Sequence, residues 1–130
     1  MTTAWVFPGQ GSQKIGMADQ IISLEGAHER FALASKIIGR DLLKICQSKD
    51  QSGDSILDLN DTRNTQPALF VVESILVDEM HRQGHQTSLI AGHSLGELAA
   101  LYAAEVLDDR AALELLYRRS ELMASAGGGA

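Results

Sequence analysis

Ser94 lies in the run Gly92-His93-Ser94-Leu95-Gly96, a serine at G-x-S-x-G spacing that follows the apolar Leu89-Ile90-Ala91 and precedes a stretch of helical periodicity. Between a strand and a helix, that pattern forms a sharp elbow that exposes the serine hydroxyl at the carboxyl end of the strand. The helix start adds free N–H groups and a dipole that favours negative charge beside the serine. An oxyanion forming on a bound carbonyl would then meet the Leu95 N–H. The bland alternative is a tight strand-to-helix turn with no chemistry. A second glycine-rich segment, Phe7-Pro8-Gly9-Gln10-Gly11-Ser12-Gln13, also follows an apolar run, and it carries neither the lysine of a phosphate loop nor G-x-G-x-x-G spacing. Loops at the carboxyl ends of parallel strands share one edge of the sheet. Gln10 could therefore supply the second N–H that an elbow needs from another loop.

Other residue types are more ambiguous. Adjacent helical residues point about 100° apart, so only one of Arg118 and Arg119 can face a given site. With Leu115, Leu116 and Leu122 marking a buried flank, Arg119 is the better placed. Its guanidinium fork suits a carboxylate, although an ordinary surface pairing with Glu114 or Glu121 satisfies the same residues. His93 neighbours the serine, but its side chain projects elsewhere, to a substrate-side contact or a packed position. Gln66 either lines a cleft or begins a helix. His28, His81 and His85 fall in helix or surface contexts, and Cys46, without an activating neighbour, reads as a small core residue.

The elements that must position these residues alternate between strand and helix. Ala4 to Phe7 is a short buried strand stopped by Pro8-Gly9. Ala27, Phe31, Ala34, Ile37 and Ile38 recur at helical spacing up to Gly39, and Asp41 caps a short helix with Leu42, Leu43 and Ile45. Residues 47–64 form a polar connection with one pinned turn at Ile56-Leu57. Thr65-Gln66-Pro67 signals a helix start. The helix carries Leu69, Val72, Ile75, Leu76 and Met80 on one face and ends at Gly84. A second strand spans Thr87 to Ala91, a helix Gly96 to Ala104, and Asp108 or Asp109 caps a last helix with Leu113, Leu116, Leu122 and Met123.

Composition narrows the function classes. With 45% hydrophobic and 22% charged residues the chain is a globular domain, and its net charge of −6 with scattered Lys and Arg argues against nucleic acid or an anionic membrane as partner. No apolar stretch approaches the roughly 18 residues of a membrane span. A single cysteine and the lack of a signal-peptide pattern after Met1 read as cytoplasmic.

Together the segments VFPGQGSQ (6–13), TQPAL (65–69), AGHSLGELAAL (91–101) and RSELM (119–123) resemble the malonyl-CoA:acyl carrier protein transacylases and the related acyltransferase domains of fatty acid and polyketide synthases. The resemblance implies an α/β fold of three-layer, α/β-hydrolase-like character around a parallel sheet. It also implies ping-pong transfer, in which a serine takes malonyl from malonyl-CoA and passes it to the phosphopantetheine thiol of an acyl carrier protein, with no metal and no cofactor of the enzyme's own. By the same resemblance Ser94 is the nucleophile, Gln10 and Leu95 donate to the oxyanion, and Arg119 clamps the malonyl carboxylate; His93 and Gln66 stay candidates for substrate contact on their positions alone. The family's histidine base and a small ferredoxin-like subdomain would follow Ala130. Residues 1–130 are thus expected to be the N-terminal part of the large subdomain, inactive and poorly folded alone. Two other readings stand beside this one, a proofreading acyl hydrolase and a non-catalytic docking fragment.

Overall fold

The computed structural model describes residues 3–47 and 57–128. Their order is β1 (Ala4–Phe7), α1 (Ala27–Ile38), α2 (Leu42–Gln47), α3 (Thr62–Arg82), β2 (Leu89–Gly92), α4 (Gly96–Ala103) and α5 (Asp109–Gly128). The two strands pair in parallel, with Ala4 opposite Leu89 and Phe7 opposite Gly92. Both therefore end at the same edge, and the loops holding Gln10 and Ser94 emerge side by side. Because side chains alternate along a strand, the register sorts them onto two faces. Trp5 and Phe7 are buried beneath the helices, whereas Val6 and Leu89 on the other face are 71% and 60% exposed. A parallel sheet is normally covered on both sides. Among the described residues only one covering layer is present, so the fold is α/β with its third layer not formed by these residues.

Most helix boundaries follow from local chemistry. α1 ends at Gly39, whose N–H donates to Ser35 O at 2.8 Å. Asp41 Oδ1 accepts from the Lys44 N–H at the start of α2 (3.2 Å), and Asp108 Oδ1 accepts from the Ala111 N–H at the start of α5 (2.8 Å). The turn expected at Ile56-Leu57 lies mostly outside the described residues, which include only Leu57. α3 departs from expectation: it begins at Thr62 rather than near Thr65, capped by Asp61, whose Oδ1 accepts from the Arg63 N–H at 2.9 Å. Pro67 thus sits inside the helix. A proline cannot donate to the carbonyl four residues back, and that carbonyl, on Arg63, instead accepts from Arg40 Nη2 at 3.3 Å. Thr65, which reads as a cap, turns its hydroxyl back to the carbonyls of Leu59 and Asp61.

α3 runs through the centre of the helical layer, buried without interruption from Asn64 to Val71. Arg30 ties its surroundings together. The guanidinium of this α1 residue donates to Ser74 Oγ (2.8 Å) and pairs with Asp78 (2.8 Å) on α3, donates to Tyr102 Oη on α4 (3.1 Å), and pairs with Asp109 on α5 (3.1 Å). Four helices are thereby held by one side chain that meets two carboxylates and two hydroxyls. Next to Ser74 on α3, Glu73 is 7% exposed, and neither carboxylate oxygen has a hydrogen-bond partner among the described residues. Burial raises its pKa from 4.5 to about 8.

That burial gives a signed pH dependence. Between about pH 4.5 and 8 the folded chain keeps a proton on Glu73 that the unfolded chain releases, so stability falls as pH rises through this window. Glu73→Gln, which stays neutral, is expected to melt at a higher temperature than the parent at pH 8, with the gap closing towards pH 4.5. A difference that does not vary with pH would show that Glu73 is ionised in the folded protein.

Candidate active site

Ser94 occupies the turn between β2 and α4 with φ of +56°, in the left-handed region that a non-glycine residue adopts only at a cost. Tight packing on both sides holds it there. A Cβ on Gly92 would overlap the backbone of Gly96 and Glu97, and one on Gly96 would overlap the carbonyls of Phe7 and Pro8. The first turn of α4 consequently rests directly on the end of β1. The His93 N–H donates to Phe7 O at 3.0 Å, which extends the strand pairing by one residue into the elbow. A Cβ on Gly9 would in turn meet the His93 carbonyl. The glycine loop and the serine turn are thus in backbone contact, as the shared sheet edge requires.

The structure brings five of the six candidate residues, Ser94, Leu95, Gln10, His93 and Arg119, to this edge. Ser94 is exposed, and Leu95 behind it is buried, so the leucine side chain anchors the turn while its backbone leads into α4. Gln10 is exposed in the loop after β1. The N–H groups of Gln10 and Leu95 make no hydrogen bond among the described residues. Arg119 reaches across from α5, and its Nη2 donates to Ser94 Oγ at 2.9 Å. It forms no ion pair with Glu114 or Glu121, and Arg118 is exposed beside it. The flank that orients α5 is narrower than expected. Leu116 is buried with Ala112, Leu113 and Ser120, whereas Leu115 is exposed and Leu122 is 67% exposed.

His93 and Gln66 stand differently. The His93 imidazole lies over Gly9, its Nδ1 about a van der Waals contact from where a Cβ there would sit, and no histidine among the described residues hydrogen-bonds to Ser94. Gln66 is 1% exposed, so its amide joins the site from within. Its Nε2 donates to Thr62 Oγ1 at 2.8 Å and lies 3.2 Å from Met123 Sδ on α5, while its Oε1 has no partner among the described residues. Thr62 Oγ1 then donates to Gln10 Oε1 at 3.0 Å. Thr62 carries no signal in a sequence whose helix is expected to start three residues later. Cys46 is buried, and its thiol is pushed up to about 12 by that burial and by Asp19, which fits a core residue. Among the described residues no group of three or more His, Cys, Asp or Glu could hold a metal ion, and no helix is long and apolar enough to cross a membrane.

A parallel α/β sheet with a serine elbow at its carboxyl edge, a glycine-rich loop beside it and an arginine on the serine hydroxyl defines an α/β domain built around one exposed serine. The chain belongs to the acyl transferase domain family, whose sequence profile matches residues 4–130. It is 48% identical over 129 residues to the malonyl CoA-acyl carrier protein transacylase of Synechocystis sp., a match that covers 99% of this chain and 42% of the relative. A crystal structure of a Synechocystis malonyl-CoA:ACP transacylase superposes with a TM-score of 0.87 at 48% identity, over 97% of this chain and 41% of that one. A malonyl-transacylase in complex with a type II polyketide synthase acyl carrier protein superposes with a TM-score of 0.85 at 38% identity, over 97% and 40%. The chain thus spans about two fifths of the length of these relatives.

The backbone constraints predict opposite effects two residues apart. Gly96→Ala, which has no room for its methyl group, is expected to destabilise the fold by about 1–3 kcal/mol, as overpacking does. Ser94→Gly relieves a left-handed serine and is expected to stabilise by about 1 kcal/mol. Denaturant melts of both variants check the pair, and a Gly96→Ala variant as stable as its parent would mean that α4 does not rest on β1.

Proposed function

We propose that this chain is the N-terminal part of the large subdomain of a malonyl-CoA:acyl carrier protein transacylase, and that Ser94 carries the malonyl group between the two thiols. The observation that carries the reading is the Arg119 Nη2 to Ser94 Oγ hydrogen bond of 2.9 Å, made on an elbow whose serine has φ of +56°. It places a fixed positive charge within a few ångströms of the atom that would be acylated. A malonyl group esterified to Ser94 would have its free carboxylate within reach of that guanidinium, which offers two parallel N–H donors to a carboxylate. An acetyl group would offer nothing in return. The arginine therefore favours the malonyl reading over a hydrolase for plain acyl chains.

In the proposed reaction, Ser94 Oγ attacks the thioester carbonyl of malonyl-CoA and gives its proton to a base. The carbonyl π electrons move onto oxygen, where the free N–H groups of Leu95 and Gln10 meet the charge. Collapse of that tetrahedral adduct expels the CoA sulfur, which takes the proton back from the base, and leaves malonyl-Ser94. The phosphopantetheine thiol of an acyl carrier protein then gives its proton to the freed base and attacks the ester, and Ser94 Oγ leaves as it takes up that proton. No histidine among the described residues is bonded to Ser94, so the base is assigned to a segment outside them, as the family resemblance implies. His93 is placed at the substrate side of the elbow, and Gln66 supports the site from beneath. The proposed reaction needs no cofactor of the protein's own, and the single cysteine supports a cytoplasmic setting for it.

Two variants of the full-length protein test the assignment. Ser94→Ala is expected to abolish the malonyl adduct seen by intact-protein mass spectrometry after mixing with malonyl-CoA, and an undiminished adduct would place the ester elsewhere. Arg119→Ala is expected to lose about 1.5–3 kcal/mol of malonyl discrimination, roughly ten- to a hundredfold in kcat/KM, while acetyl transfer is kept or gained. If both substrates slow equally, the arginine is structural.

A further inference from the structure

The loop after β1 is tied to the start of α3 by two glutamines whose partners belong to no part of the reaction described above. Gln10 Oε1 accepts from Thr62 Oγ1 at 3.0 Å, and Gln13 Nε2 donates to Asn60 Oδ1 at 3.0 Å. Within the loop, the Gly11 N–H donates to Gln13 Oε1 at 2.7 Å and Ser12 Oγ donates to Gly9 O at 2.8 Å, so the two anchored side chains are connected to a turn that is itself braced. The direction of the Thr62 hydroxyl is set from below. Thr62 and Gln66 are four residues apart and stack on one face of α3. Gln66 Nε2, 1% exposed and shielded from water, donates to Thr62 Oγ1 at 2.8 Å. With that lone pair occupied, the hydroxyl hydrogen is directed to Gln10 Oε1, and a hydroxyl that both accepts and donates is polarised in both bonds.

We infer that Thr62, backed by Gln66 and seconded by Asn60, is a positioning residue that holds the Gln10 loop so that the Gln10 N–H points at the reacting carbonyl. The inference rests on the proposal that Gln10 is an oxyanion donor. Such donors work only when preorganised, because a loop free to reorient would spend part of its stabilisation on ordering itself in the transition state. Gln10 and Gln13 are both in an exposed loop whose own backbone bonds are short-range. The ties to α3 connect it to the most buried helix of the domain.

The test uses the full-length protein with Thr62→Val, which keeps the shape and removes the hydroxyl, and Thr62→Ser, which restores it. Amide hydrogen exchange of residues 9–13, read by mass spectrometry without substrate, is expected to quicken roughly tenfold in Thr62→Val, the order expected from one lost hydrogen bond. The kcat for malonyl transfer should fall by a similar factor with KM for malonyl-CoA within about twofold, since an oxyanion donor acts in the transition state. Thr62→Ser should return both to the parent's values. Unchanged exchange in Thr62→Val would overturn the anchoring while leaving Gln10 as a donor. Faster exchange with unchanged kcat would overturn the role of Gln10 itself, and the inference with it, without touching Ser94 or Arg119. Should Thr62→Val fail to fold, Asn60→Ala severs the second tie at an exposed position and is read by the same two measurements, with the same outcomes deciding.

Discussion

The first turn of α4 can lie on the end of β1 only because position 96 has no side chain, and the rest of the site depends on that contact. A Cβ there would overlap the Phe7 and Pro8 carbonyls, and a Cβ on Gly92 would overlap the turn from the other side. With both glycines in place, the chain reverses between β2 and α4 within three residues, and the one in the middle is forced to positive φ. That residue is a serine. The strain is stored where the hydroxyl is displayed, which is the usual location for such strain in a working site.

The same close approach determines what surrounds the serine. The turn touches Gly9 just after β1, and the parallel register of the strands brings the Gln10 loop and the serine turn to one edge. The cation arrives from the other direction. α5 is held against α1 and α3 by Arg30, through Asp109 and Asp78, and by its buried stripe of Ala112, Leu113, Leu116 and Ser120. This seating rotates Arg119 towards Ser94 and leaves Arg118 in solvent.

Two features of α3 work against stability. The helix keeps Glu73 buried with both oxygens unpartnered among the described residues, and Gln66 with one, and groups of this kind cost free energy wherever they are retained. The other amide atom of Gln66 donates to Thr62, which in turn donates to Gln10. Glu73 lines a groove of about 460 Å³ with Leu69, Val72, Leu76 and residues of β1. The open face of the sheet and this groove are among the apolar surfaces that the described residues leave uncovered.

What the sequence determined by itself is whatever depends on neighbours along the chain. The strand at Ala4–Phe7, the elbow at Ser94, the helix that follows it and the cap at Asp41 all rest on periodicity, on turn chemistry or on a side chain bonding a backbone group a few residues away, and the last helix's cap is narrowed to Asp108 or Asp109. The start of α3 escaped because Asp61 and Thr65 are both capping types, and only the packing of Asn64 and Thr65 into the core decides between them. Tertiary structure alone decided that Leu122 faces solvent, that Gln66 is sealed inside, and that Arg119 and Thr62 reach Ser94 and Gln10. Those last pairs are 25 and 52 residues apart. Their meeting depends on how whole helices seat against one another, a sum of many small packing and ion-pair energies that no local pattern in the chain encodes.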